Sequence, residues 1–177
     1  MQIYDVLKKD HQAVLHLLEQ MENTSDGAVQ KRRDLLTRLS EELVPHMRAE
    51  EKVLYDTLKE INETEDLVLE AEEEHSTCEM VLHELQSIEP SDKRWAAKLA
   101  VLKENLELHI EEEETEIFAQ AKQVLAPEEA KMMAEAFKNL KAEVAEGGIL
   151  ESALNRVAQF MPPRFSKRFT EISRRLT

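Results

Sequence analysis

The sequence predicts an all-α protein: an up-down-up-down four-helix bundle with additional helices at its C-terminal end. Three observations carry this prediction. The 177 residues include 3 Gly and 5 Pro, with 5% aromatic and 34% charged residues, poor material for strands and tight turns. Apolar residues recur at alternating steps of three and four along four successive stretches, the period of a helix face rather than a strand. Short clusters of Asn, Ser, Asp, Gly and Pro separate those stretches. A 42% hydrophobic content over this length supplies one domain with a real core. Residues 1–146 are expected to form the bundle with a fifth helix, and residues 147–177 a basic amphipathic tail.

Each helix follows from its own signals. The first runs from about Ile3 to Glu22, with Tyr4, Leu7, His11, Val14, Leu18 and Met21 on its inner face; Asn23, Thr24, Ser25, Asp26 and Gly27 end it. The second extends from near Ala28 to Ile61, with Leu36, Leu39, Leu43, His46, Glu50, Val53 and Thr57 inward. Its Pro45 removes a backbone hydrogen bond one residue before His46, so a kink is expected there. The third covers about Glu65 to Ile88 through Val68, Ala71, His75, Cys78, Leu82 and Leu85. Pro90-Ser91-Asp92 opens the fourth, which carries Trp95, Leu99, Leu102, Leu106, His109 and Glu113 inward and runs to about Val124. Pro127, Glu128 and Glu129 suit the first turn of a fifth helix. His11 and His46 differ in distance from their shared turn by an axial mismatch of roughly 10 Å at 1.5 Å per residue. A longer first helix, or a second helix starting near Asp34, would remove it.

Six residues on these inner faces are not apolar. His46 precedes Glu50 by four residues, His109 precedes Glu113 by four, and a lone histidine stands before each pair, His11 35 residues before His46 and His75 34 before His109. A buried carboxylate loses several kcal/mol of solvation, and none of the inner faces named above offers Glu50 or Glu113 a Lys or Arg. Protonation and mutual hydrogen bonding accommodate one or two such groups. Six converging at helical spacing call for a cation, because neutral imidazoles and carboxylates are donors that iron, manganese and zinc accept. The pattern describes a cavity with six ligands and room for two ions.

The order His11, His46-x-x-x-Glu50, His75, His109-x-x-x-Glu113 resembles the hemerythrin-like HHE cation-binding family over about residues 3–145. The resemblance implies a non-haem di-iron centre with an oxo or hydroxo bridge and open coordination positions. His11 and His46 would hold one iron, His75 and His109 the other, and Glu50 and Glu113 would span both. Oxygen-carrying members have a further histidine four residues beyond the third, where this chain has Glu79; Glu79 either supplies an oxygen instead, leaves a position open, or is a solvated glutamate. The four-histidine, two-glutamate set is closer to iron-centre repair proteins and bacterial stress proteins of the family, although the repair proteins carry a cysteine-bearing segment ahead of the bundle. Ferritin-like bundles, which use Glu-x-x-His pairs on two helices, fit less well: Glu72 to His75 is the one such pair here.

Other conspicuous residues have plainer readings. His16 lies off the inner face and is expected at the surface, and His83 two turns beyond His75 is expected to cap the core. Within Glu111–Glu114 only Glu113 has the inward phase, so its neighbours are expected to face water or to raise the local negative field. Met132, Met133 and Phe137 are packing residues. Cys78 is expected as a buried thiol, and Tyr4, Tyr55 and Glu79 are the candidate proton donors.

A net charge of −14 argues against nucleic acid as a partner. From Gly148 onward six basic residues (Arg156, Arg164, Lys167, Arg168, Arg174, Arg175) face two acidic ones, a tail of +4 that leaves −18 on residues 1–147. Ile149, Leu150, Leu154, Val157 and Phe160 give the tail an apolar stripe, and Phe165 and Phe169 follow Pro162-Pro163; docking on the acidic bundle of the same or a sister chain is expected, with an anionic membrane or another protein as the alternative. With no apolar run long enough to span a bilayer, no leader-like start and one cysteine, a cytoplasmic protein is expected. Function is then expected to be the binding or sensing of oxygen, nitric oxide or iron in stress response or iron homeostasis. The alternatives are a di-iron enzyme reducing nitric oxide or peroxide, and an iron-donating repair protein.

Overall fold

The computed structural model describes residues 1–61, 63–147 and 150–166. Helix α1 spans Ile3–Glu22 and α2 spans Val29–Glu50, continuing through a π-helical turn at Glu51–Tyr55 into a last α-turn, Asp56–Leu58. Helix α3 is Glu65–Ser87; α4 is Lys93–Glu112, likewise followed by a π-helical turn, Glu113–Ile117, and an α-helical end, Phe118–Val124. Helix α5 is Pro127–Ala145 and α6 is Leu150–Val157. Neighbours in the bundle pack in a ring, α1 on α2, α2 on α3, α3 on α4 and α4 on α1, while α5 lies across α1 and α2. All inward positions predicted for the four bundle helices are buried.

Local chemistry sets the ends. The Asp5 carboxylate accepts the Gln2 backbone N–H at 2.9 Å, Asp92 accepts the Arg94 backbone N–H at 2.8 Å, and Glu129 accepts the Ala126 N–H at 2.8 Å behind Pro127. Each satisfies a backbone donor that the first turn leaves orphaned, worth about 1 kcal/mol apiece. Gly147, in the left-handed region at φ 73°, follows the end of α5.

Two sequence expectations shift here. Helix α2 runs unbroken through Pro45, and the irregular backbone lies instead at the π turn six residues on. The mismatch in depth between His11 and His46 is removed by neither a longer α1 nor a later start of α2. The connection Asn23–Ala28 takes up an axial offset of roughly 9 Å, within reach of six residues.

The interior is two apolar clusters with a polar layer between them. One cluster, at the turn end, holds Val14, Leu18, Met21, Leu39, Leu82, Trp95 and Leu102. The other holds Leu7, Val53, Leu54, Val68, Phe118, Phe137 and the α6 residues Ala153, Leu154 and Val157. Below the turn-end cluster the α2 inner face reaches a cation after all: Arg32 is 3% exposed, donates to Thr24 Oγ1 (2.8 Å), Asp26 (3.0 Å) and the Pro90 carbonyl (2.5 Å), and stacks on Trp95 at 4.4 Å. It ties the α1–α2 connection to the α3–α4 connection, far from Glu50.

The described part of the tail docks on its own chain. Ala153, Leu154, Val157, Met161 and Phe165 are buried against α5, Arg156 pairs with Glu143, and Arg164 grips Glu129 at 2.6 Å. Phe160, expected in the apolar stripe, is instead 37% exposed. Ile149, Lys167, Arg168, Phe169, Arg174 and Arg175 lie outside the described residues. No described helix is long and apolar enough to cross a membrane.

Candidate metal centre

The polar layer consists of the six residues that the sequence singled out. His11, His46, Glu50, His75, His109 and Glu113 are each at most 3% exposed, one from α1, two at the end of α2, one from α3 and two at the end of α4. His46 Nε2 lies 3.3 Å and His75 Nε2 3.6 Å from the same oxygen, Glu50 Oε2. His11 Nε2 lies 3.1 Å from Glu113 Oε2, and the Nε2 atoms of His75 and His109 are 3.0 Å apart. Among the described residues, two groups have donor atoms close enough to share an ion, His11-His46-Glu50 and Glu50-His75-His109, with Glu50 common to both.

The π turns explain how α2 and α4 present these residues. In each, an amide reaches back five residues rather than four, from Asp56 to the Glu51 carbonyl and from Phe118 to that of Glu113. The extra residue per turn shifts the phase of the helix beyond the glutamate, so that Val53 to Leu58 are all buried. Such turns are uncommon and concentrate where a helix aims a functional side chain.

Around the six runs a closed ring of carboxylates. Asp10 on α1 meets His46 Nδ1 on α2 at 3.3 Å; Glu51 on α2 meets His75 Nδ1 on α3 at 3.1 Å; Glu74 on α3 meets His109 Nδ1 on α4 at 2.7 Å; Glu114 on α4 meets His11 Nδ1 on α1 at 3.0 Å. A carboxylate on Nδ1 keeps the hydrogen there, turns the Nε2 lone pair inward, and makes the ring a better donor. Sequence reading did not pick out these four as histidine partners and left Glu114 facing water or raising the local negative field. Their signal is adjacency: each stands directly beside one of the six, in Asp10-His11, Glu50-Glu51, Glu74-His75 and Glu113-Glu114.

The electrostatics of the layer are those of donors without a cation. Burial raises Glu50 well above the usual carboxylate range, and the Glu113 carboxylate beside it raises it further. Burial also works to raise Glu113, but its contact with His11 outweighs this and keeps it ionised. His11 is raised: burial opposes its charge, and Glu113 overcomes that. Burial and the neighbouring His109 bring His75 down to about 4, against the pull of Glu51. Both oxygens of Glu50 and of Glu113, and Nε2 of His11, make no hydrogen bond of good geometry, although Glu113 Oε2 and His11 Nε2 approach to 3.1 Å. Five polar atoms without a good hydrogen bond at the focus of six donors fit a bound cation, since unpaired buried polar groups are otherwise costly.

Beyond the layer, Phe137 of α5 meets the His46 ring edge-on at 5.6 Å, and Lys141 of α5 holds Asp10 at 2.7 Å. The fifth helix therefore backs the first histidine pair. On the turn side a cavity of about 10 Å³ opens among the four histidines, walled by Val14, Leu43, Met47, Leu106 and Ile110. Glu79 binds Arg48 at 2.6 Å and Glu72 binds Lys59 at 2.5 Å, and neither belongs to the groups whose donor atoms could share an ion. Tyr55 lies 5.4 Å from the His75 ring with its hydroxyl unpartnered, and burial, reinforced by the surrounding glutamates, keeps it protonated. Tyr4 sits farther back against Phe118, pushed up to about 12 by burial. His16 and His83 are exposed, and Cys78 is a buried thiol raised to about 12 by burial.

The hemerythrin HHE cation-binding domain matches residues 2–121 of this sequence. The chain belongs to that family. The match spans the four bundle helices and contains all six central residues, so this hemerythrin-like protein carries its candidate metal site where the family's cation-binding domain lies. A DNA nickase of Nostoc sp. (strain PCC 7120 / SAG 25.82 / UTEX 2576) is 27% identical over 149 residues, covering 82% of this chain and 41% of that protein. The hemerythrin-like chain therefore spans less than half the length of that relative. No solved structure matches it significantly.

Proposed function

We propose that the protein is a non-haem di-iron protein that binds or senses oxygen, nitric oxide or iron itself, with His11 and His46 on one ion, His75 and His109 on the other, and Glu50 and Glu113 shared. The observation that carries this reading is the sharing of Glu50 by two buried three-residue groups, with four carboxylate oxygens left without a good hydrogen bond. When bound, two irons would supply reversible small-ligand binding and one-electron chemistry. The chain's own part is to orient and to exclude. Asp10, Glu51, Glu74 and Glu114 fix the imidazole tautomers, and Phe118 and Phe137 pack behind His11 and His46. The small cavity beside the histidines, about 10 Å³ and mostly apolar-walled, has room for no more than about one water-sized molecule, which favours a small ligand over a bulky substrate.

Binding is favoured over turnover because the candidate proton donors are badly placed. Tyr4 is turned away against Phe118, Glu79 is engaged with Arg48, and the raised Tyr55 phenol gives up its proton reluctantly. Metal analysis followed by stopped-flow mixing of the loaded protein with oxygen, nitric oxide and peroxide tests the reading. Two irons per chain and reversible uptake of a diatomic ligand are expected. Catalytic consumption would make the protein an enzyme instead, transfer of iron to a damaged centre would make it a repair protein, and full occupancy at one metal per chain would end the di-iron assignment.

The similarity to a DNA nickase supports a second reading, in which such a bundle serves a DNA-processing protein. The net charge of −14 opposes direct contact with DNA. Nicking of supercoiled plasmid by the metal-loaded protein would establish it, and an inert mixture would remove it.

A further inference from the structure

The carboxylate ring is closed but not uniform. Three of its members are neutralised on their outer side: Asp10 by Lys141 at 2.7 Å, Glu114 by Lys8 at 2.8 Å, and Glu51 by Arg48 at 3.5 Å. The fourth, Glu74, meets no lysine or arginine among the described residues. Behind it lie Glu70, Glu112 and Glu116, which also have none.

These residues line a cleft between α3 and α4. An inner cavity of about 100 Å³ is walled by Glu70, Glu74, Glu112 and Glu116 and bounded at its inner end by Glu113; an outer one of about 240 Å³ shares Glu70 and Glu74 and opens past Glu73. Glu113 is 0% exposed, and neither of its oxygens makes a hydrogen bond of good geometry. The cleft thus runs from water, past a file of carboxylates, to Glu113 of the central layer. At the position where its three counterparts hold a fixed cation, the protein has left open acidic space.

We propose that this cleft is the passage by which divalent metal ions reach and leave the centre, with Glu70, Glu74, Glu112 and Glu116 forming a transient oxygen-donor site outside Glu113. The proposal rests on the metal-centre reading above and adds its route. Oxygen donors suit a hydrated divalent ion that sheds water stepwise, and a funnel of one sign raises the local concentration of the opposite charge. Glu70 and Glu116 line the cleft, are exposed, and touch none of the four histidines, so removing their charge leaves the centre itself intact.

The test is the rate of cobalt(II) uptake by the full-length metal-free protein, followed by stopped-flow absorbance, beside the metal content at equilibrium. The double variant Glu70→Gln/Glu116→Gln should load about tenfold more slowly at low ionic strength, with the gap closing in high salt, and should reach the same final content as the wild type. The control double variant Glu41→Gln/Glu104→Gln, with the same change in net charge on exposed positions outside the cleft, should load within about twofold of wild type. Equal rates for the cleft variant and wild type, or equal slowing in the control, would overturn the passage while leaving the centre standing. A wild-type protein that takes up no cobalt would overturn the centre and the passage together.

Discussion

The Nε2 atoms of His75 and His109 lie 3.0 Å apart in the bundle interior, while Nδ1 of each faces outward onto a carboxylate, Glu51 at 3.1 Å and Glu74 at 2.7 Å. With both Nδ1 hydrogens committed outward, two lone pairs share one small volume. A cation between them relieves that conflict, and a single shared proton relieves it less well. The same logic holds at His11 and His46, whose rings are 5.1 Å apart and whose outer nitrogens meet Glu114 and Asp10.

Substitutions should therefore fall into three grades. His46→Ala and Glu113→Ala should abolish stable binding of two metals, because each removes a donor. Glu51→Gln and Glu114→Gln should retain binding with affinity weakened by about 10–100-fold, the usual effect of losing a partner that orients a ligand. His16→Ala and Glu111→Ala should change nothing. Competition with a chelator of known affinity distinguishes the grades, and equal losses in all six would show that the inner positions are wrongly chosen.

Acid should affect the metal-free and loaded forms in opposite senses near neutrality. Glu50 is raised in the folded state, so its proton contributes stability that is fully present below its ordinary value of 4.5 and is lost as pH rises through the folded value. His75 is depressed from 6.5 to about 4, so its contribution is present above 6.5 and is lost as pH falls toward 4. Above pH 6.5, where His75 is already neutral in both states, the raised groups Glu50 and His11 take up protons more readily in the folded state, so the metal-free protein should melt higher as pH falls toward 6.5. Glu50→Gln should reduce that rise, leaving the share contributed by His11, and melt above metal-free wild type at the alkaline end. The loaded protein should only lose stability on acidification, since its ligands must stay deprotonated. Melting curves after chelation test this, and a flat wild-type profile above pH 6.5 would contradict it.

Arg32→Met should destabilise the protein by about 2–4 kcal/mol without altering metal content. The side chain is replaced by one of similar length, but the Pro90 and Thr24 carbonyls lose their donor and Trp95 loses its stacked cation. The centre is 14 residues along α2, roughly 21 Å away. Denaturant titration and metal analysis of the same sample measure both halves.

Leu154→Ala should cost about 2–5 kcal/mol, the range for a buried leucine, because Leu154 is 1% exposed against α5 within the same chain. A tail that docked instead on a sister chain would make the loss depend on protein concentration. Denaturation at two concentrations separates the cases.

The six central residues were legible because they occupy positions that a helical period assigns to the interior, where imidazole and carboxylate stand out among leucines. Their carboxylate partners were not, because a residue next to an inward one points about 100° away on the helix and is assigned to water by the same period. In a ring of packed helices that direction is the crevice facing the neighbouring helix, as Glu114 demonstrates at His11. The π turns escaped for a related reason: one inserted residue rephases everything beyond it, and the unbroken buried run from Val53 to Leu58 looks like noise to a fixed period. Arg32 was missed because its inner face was followed down only to Leu36. Pro45 drew attention to the wrong irregularity, since a missing backbone donor is visible in sequence and a π turn is not.

The division of the interior into two apolar clusters, separated by a plane of charge-bearing groups, bears on how the protein comes apart. Apolar contacts spread cooperativity through a domain, and here they are interrupted at the level of His11, His46, His75 and His109. With metal, six ligand side chains from all four helices would stitch the halves into one cooperative unit. Without it, the turn-end half keeps its Arg32 tie and the other half keeps α5 and α6, so each has its own reasons to stay folded or to open. Amide exchange in the metal-free protein would then distinguish two separately protected halves where the loaded protein has one.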